Sequence, residues 1–147
     1  MNWRVILSIA IGVLIFTGCC SSCRKYQKLR KPLVGTEWHL VQMDGERITP
    51  SEESSKGGYT LILGDNGNIG GVGACNTFMG SYEASAERNI TISVSGSTRR
   101  MCRDHANEQR YFEMLQSATH YDMDGPMLLL LKDGYLIAIF ESREQDK

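Results

Sequence analysis

The sequence predicts a mainly β (α+β) domain with antiparallel pairing and a single packed helix. Short segments of alternating apolar and polar residues are separated by Asp-Gly and Asn-Gly dipeptides, the pattern of β-hairpins. Only 105–118 repeats its apolar residues at helical spacing. The run Gly70-Gly71-Val72-Gly73-Ala74-Cys75-Asn76 calls for a strand whose backbone bends sharply or lies close against a neighbour.

With 147 residues the chain has room for one ordinary domain. Its 41% hydrophobic and 22% charged content is that of a globular protein, neither disordered nor a multi-pass membrane protein. A formal charge of −1 provides no global field for nucleic acid, so no nucleic-acid partner is expected.

Residues 1–18 read as a lipoprotein signal peptide. Arg4 precedes an apolar run from Val5 to Phe16. About twelve residues of helix reach roughly 18 Å, short of the roughly 30 Å hydrocarbon core. Phe16-Thr17-Gly18-Cys19 then has the form of a lipobox, with small residues before a cysteine that becomes lipidated Cys19. Phe16 departs from the usual leucine. Residues 19–32 follow as a basic tether carrying Arg24, Lys25, Lys28, Arg30 and Lys31, and the folded domain is expected over 33–147.

In Gly35-Thr36-Glu37-Trp38-His39-Leu40-Val41, Trp38 and Leu40 share one face of a strand that ends at the Asp44-Gly45 turn. His39 alternates to the other face and is expected on the surface rather than as a base. Pro50 to Lys56 is a polar loop. Tyr59, Leu61 and Leu63 mark a second strand, which Asp65-Asn66-Gly67 turns back into the glycine-rich strand. Beyond it, Asn76, Gly80 and Tyr82 are expected to build a tight turn: Asn76 and Gly80 reach left-handed backbone angles cheaply, and the Tyr82 ring closes over them. Asn76 stands where a dinucleotide fingerprint needs glycine, and no Gly-Lys-Ser/Thr is present, which speaks against phosphate binding.

Ile90, Ile92 and Val94 alternate cleanly as a further strand. Arg99, Arg100 and Arg103 form a small basic cluster without interleaved aromatics. The helix buries Tyr111, Met114, Leu115 and Ala118, with Asp104 as N-cap and Glu108 near the positive end of the dipole. Met127 to Leu131 and Tyr135 to Phe140 form a closing hairpin about Asp133-Gly134, apolar on both faces and therefore covered twice. Asp122-Met123-Asp124-Gly125-Pro126 lacks the ligands of a calcium loop and reads as a turn.

Cys75 and Cys102 are the domain's two cysteines. In an oxidising compartment they are expected to form a disulfide, and closing about 27 residues is worth roughly 3.5 kcal/mol in the chain-entropy view. Two buried reduced thiols, or a reactive or metal-binding thiol, are the competing readings. Cys102-x-x-His105 has no second ligand pair, so no metal is expected and no cofactor is implied.

Gly73-Ala74-Cys75-Asn76 with Gly80 and Tyr82, the opening Thr36-x-Trp38 and the Arg99-to-Cys102 segment together resemble the META domain, the HslJ-like family of bacterial envelope proteins. Ala74 stands where that family often has glycine. The resemblance spans most of Leu33 to Glu141. It implies a barrel-like, imperfectly closed antiparallel fold with one packed helix, in a stress-linked envelope protein without established catalysis. Trp38, Gly73, Asn76, Gly80 and Tyr82 are then structural motif residues, and no catalytic residue is assigned. The expected function is that of a non-enzymatic lipoprotein, anchored to the outer membrane and facing the periplasm. It would be a monomeric domain that binds or stabilises an envelope partner. A small hydrophobic ligand- or lipid-binding module is the alternative.

Overall fold

The computed structural model describes residues 29–49, 58–101 and 105–143. The expectations placed on the leader and Cys19, on the 50–57 loop, and on Cys102, Arg103 and Asp104 lie outside those residues.

The described elements are β1 (Glu37–Met43), β2 (Glu46–Arg47), β3 (Thr60–Leu63), β4 (Asn68–Val72), β5 (Thr77–Ala84), β6 (Ile90–Ser97), α1 (His105–Ser117), β7 (His120–Asp124), β8 (Met127–Lys132) and β9 (Tyr135–Ser142). The strands form one antiparallel sheet in the order β6-β5-β4-β3-β1-β9-β8-β7, with β2 attached to β1. Its two outer strands approach at one point. Asn89 bridges to His120, the Ile90 amide donates to Thr119 O at 3.0 Å, and the Tyr121 amide donates to Arg88 O at 2.9 Å. The sheet is thus curved and barrel-like but partly open, and α1 packs beside β6.

The hairpins follow from local chemistry. Asp44 and Gly45 have φ of 50° and 84°, and Asp133 and Gly134 have 50° and 87°. Positive φ at both central residues gives the turn whose twist matches its strands, which Asp-Gly adopts readily. The inward face of the sheet carries Trp38, Leu40, Leu61, Leu63, Leu128, Leu130 and Phe140, all buried. From α1, Tyr111, Met114 and Leu115, with Ala118 just past its end, close over them. Tyr111 lies 5.0 Å from the Tyr59 ring, 5.9 Å from Phe78 and 6.4 Å from Phe140. Its hydroxyl donates to Thr60 O at 2.9 Å, and its complete burial pushes the phenol well above its ordinary range. Each large apolar side chain buried this way contributes about 1.5–3 kcal/mol of transfer free energy.

Two segments depart from expectation. Asn76, Gly80 and Tyr82, expected to build a tight turn, do not: Gly80 and Tyr82 lie within the eight-residue strand β5, Asn76 precedes it, and neither Asn76 nor Gly80 has positive φ. Its outward series carries the exposed Met79, and Gly80 interrupts the inward series of Phe78 and Tyr82, so the alternation of β5 is blurred on both faces. Gly80 is required by proximity rather than by angle: a Cβ there would lie 1.9 Å from Ser93 O on β6, where the register shifts between Met79 and Gly80. The second departure is at 120–124. Asp122 to Asp124, read as part of a turn, belong to β7, and the chain reverses at Gly125, with φ 57°. Met127 to Leu131 supply the backbone partners that five residues so poor in β-formers do not advertise.

Candidate functional site

The Gly73–Asn76 loop joins β4 to β5, and its geometry is set by a carboxylate from elsewhere in the chain. The loop closes on itself through Gly73 N donating to Asn76 O at 2.7 Å. That conformation aims successive amides at one point. Cys75 N and Asn76 N both donate to Glu108 Oε2, at 3.2 and 3.0 Å. The Asn76 side-chain amide donates to Glu108 Oε1 at 2.7 Å. A Cβ at Gly73 would lie 2.6 Å from Glu108 Oε2, so only glycine lets the loop come this close.

Asn76 is saturated as well. Its Nδ2 also donates to Arg100 O at 3.2 Å, while Oδ1 accepts from Thr98 Oγ1 at 2.9 Å and from Arg100 N at 2.7 Å. Both amide hydrogens and both carbonyl lone pairs are therefore used. Asn76 and Glu108 are each 2% exposed. Buried polar groups of this kind are tolerated because every partner is present. The cluster ties three pieces of chain together: the β4–β5 loop, the segment after β6, and the first turns of α1.

The sequence puts Glu108 near the positive end of the helix dipole without a partner; in the structure its carboxylate is buried and holds the Gly73–Asn76 loop. The signal was available: Glu108 precedes Tyr111 by three and Leu115 by seven, which puts a carboxylate on the buried stripe of α1.

The other motif residues do not gather at this cluster. Trp38 is fully buried on β1, and its indole N–H donates to Leu33 O at 3.0 Å, tying the entering chain to the core. Tyr82 lies along β5 and donates its hydroxyl to Gly64 O at 2.9 Å, so it closes the β3–β4 turn rather than its own. Desolvation, with the charge of Asp65, raises its phenol pKa. Cys75 sits beside Asn76, its Sγ 3.8 Å from Arg100 O.

His39 was expected on the surface but is largely covered. Its side chain is only 13% exposed, its Nε2 lies 3.6 Å from Glu37 Oε1, and its buried Nδ1 has no hydrogen-bond partner among the described residues. Burial, with Arg143 nearby, lowers its pKa below the ordinary imidazole value. Among the described residues, no three His, Cys, Asp or Glu side chains are arranged to hold a metal ion.

These features define a class: a small, partly open antiparallel β-domain whose helix is stapled by a buried carboxylate seated in a Gly-Asn loop. The META domain family matches residues 31–144, and the chain belongs to that family. Among solved structures it is similar to a DUF4847 family protein from Bacteroides vulgatus, at 18% identity and a TM-score of 0.60 over 78% of this chain and 96% of that one. It is also similar to a Burkholderia xenovorans protein solved by NMR, at 27% identity and 0.57, over 77% and 85% of the two chains. Comparison with curated proteins gives no match.

Proposed function

We propose that the chain is a membrane-anchored envelope lipoprotein that performs no chemistry and acts by binding or stabilising an envelope partner. The observation that carries this reading is the saturation of the Asn76–Glu108 cluster. The polar groups that mark the family's motif in this chain are spent on holding the helix to the sheet. A general base or nucleophile needs a free atom facing substrate, and the described hydrogen bonds of these two side chains are all made to groups of the protein itself. Membership in the META family is in keeping with a non-catalytic, envelope-associated role.

The anchoring part of the proposal rests on the leader: a short apolar run ending in Thr17-Gly18-Cys19 delivers Cys19 for lipidation, and the basic tether is a solvated spacer between the lipid and the domain on the periplasmic side of the outer membrane. The domain works as a monomer, and its envelope role is linked to stress. A Cys75–Cys102 disulfide belongs to the same reading. The Cys75 sulfur lies against the carbonyl of Arg100, two residues before Cys102, so the connecting chain already passes close by.

Mass spectrometry of protein extracted from membranes tests the anchor: an acylated N-terminal Cys19 is expected, and an intact Met1 terminus or unmodified Cys19 would overturn it. Crosslinking in intact membranes tests the partner role, with a discrete crosslinked species expected.

A further inference from the structure

We propose that the trough between α1 and the free edge of β6 docks an extended acidic peptide from the partner protein, its carboxylate held by Arg99 and Arg100. This rests on the reading that the protein works by binding a partner, and it names the chemistry of that partner.

β6 is the last strand on its side of the sheet. Beyond the contact of Arg88 to Ile90 with Thr119 to Tyr121, no described strand pairs with its outer edge. Ile90 donates across that edge, so the alternation of an antiparallel strand turns the backbone groups of Ile92 and Val94 the same way. The second half of β6 is exposed, and a Cβ placed on Gly96 would meet nothing within 4 Å. An open strand edge of this kind is a template for one more strand.

Beside this edge run two recesses of about 340 and 360 Å³, which share Ser97, Arg99, Gln109 and Phe112 and so form one trough. Phe112 is half-buried there, its ring 5.2 Å from Phe78, and offers an apolar floor for alternate side chains of a bound strand. Arg99 and Arg100 stand exposed at one end, and neither takes part in an ion pair among the described residues. Glu108, the acid beside them, is buried and has both carboxylate oxygens bonded within the protein. Among the described lining residues the exposed charges are thus the two arginines, on a chain whose formal charge is −1, and guanidiniums outside any described ion pair select a carboxylate, which an arginine can hold in a two-point contact.

The test uses the full-length lipidated protein in detergent and a fluorescent peptide of alternating glutamate and valine. Anisotropy should show saturable binding, and hydrogen exchange should slow at the backbone amides of β6. Binding should weaken at least tenfold for Arg99→Glu/Arg100→Glu and for Gln109→Glu, which puts a negative charge on the helix rim. The second variant decides the matter if the first does not fold. A lysine–valine peptide should not bind, and a backbone N-methylated glutamate–valine peptide should lose affinity. Equal binding of both charged peptides, indifference to N-methylation, or no binding at all would overturn the proposal. So would anionic phospholipid vesicles engaging the same arginines while the peptide does not. Membrane crosslinking separates this from the broader reading. If wild-type and Arg99→Glu/Arg100→Glu proteins capture the same partner equally, the trough is not the site and the partner role stands. If neither captures a partner, the partner role falls.

Discussion

Glu108 and Arg110 lie two positions apart on α1, and both tie the helix to the sheet, but in opposite surroundings. Glu108 is 2% exposed and receives two backbone amides and one side-chain amide from the Gly73–Asn76 loop. Arg110 reaches out to the β1–β2 hairpin, with Nε 3.1 Å from Asp44 Oδ2 and a terminal nitrogen 2.9 Å from Glu46 Oε2. Those three side chains are 39%, 43% and 69% exposed. Water and salt compete for every contact that Arg110 makes, whereas the Glu108 contacts were formed by giving up water altogether. The difference teaches that the number of hydrogen bonds is a poor guide to what a tie is worth. Removing an exposed charge returns its partners to solvent, while removing a buried one strands them.

The largest expected effect is therefore at Glu108. Glu108→Ala leaves two backbone amides and the Asn76 amide without an acceptor inside the protein, which should cost about 3–5 kcal/mol. Glu108→Gln keeps the shape but turns an amide donor toward other donors, and should lose about 1–3 kcal/mol. Chemical denaturation reads both as a shift of the midpoint at unchanged slope. A loss for Glu108→Ala no larger than that of a surface substitution would break the comparison.

Arg110→Ala should cost less than about 1 kcal/mol, and the cost should shrink as salt is raised. Melting temperatures of wild type and variant in low and high salt give the answer. A salt-independent loss matching that of Glu108→Ala would mean that exposure is the wrong way to rank the two ties.

The smallest expected effect extends the same logic to a titrating group. His39 is covered, and burial with the nearby Arg143 holds its pKa below the ordinary value. The unfolded chain then binds a proton that the folded ring resists. Stability should be undiminished above about pH 6.5, and should fall as the pH drops below that value until the folded ring itself protonates. His39→Gln should flatten that part of the profile. Melting curves between about pH 7.5 and about pH 5 measure the change. An unchanged profile would show that the covered imidazole is not what the acid side of the curve reports.

The proposed Cys75–Cys102 disulfide and the proposed lipid anchor at Cys19 each involve a residue outside the described ones. Within the described part, what was legible and what was not divides along one physical line. Readings that depend on neighbours in the chain came through. The alternation of Tyr59, Leu61 and Leu63, the two Asp-Gly hairpins and the apolar stripe at Tyr111, Met114, Leu115 and Ala118 are each decided within a few residues by φ preference or by period. Features decided by what lies opposite did not. Gly80 reads as a turn residue until Ser93 O is placed 1.9 Å from its missing Cβ. β7 is a strand because β8 lies alongside it, and its own residues carry little β preference.

The sequence by itself determined an antiparallel domain with one helix, the positions of most of its turns, and the family to which the chain belongs. Only the tertiary structure decided where the sheet stays open and what the Gly-Ala-Cys-Asn motif is for. The partner of Asn76 is Glu108, thirty-two residues on, and a carboxylate on the buried face of a helix announces that it needs donors without naming them. Donors are supplied by whichever loop the folded chain brings within hydrogen-bonding distance, so that choice belongs to packing rather than to any local pattern.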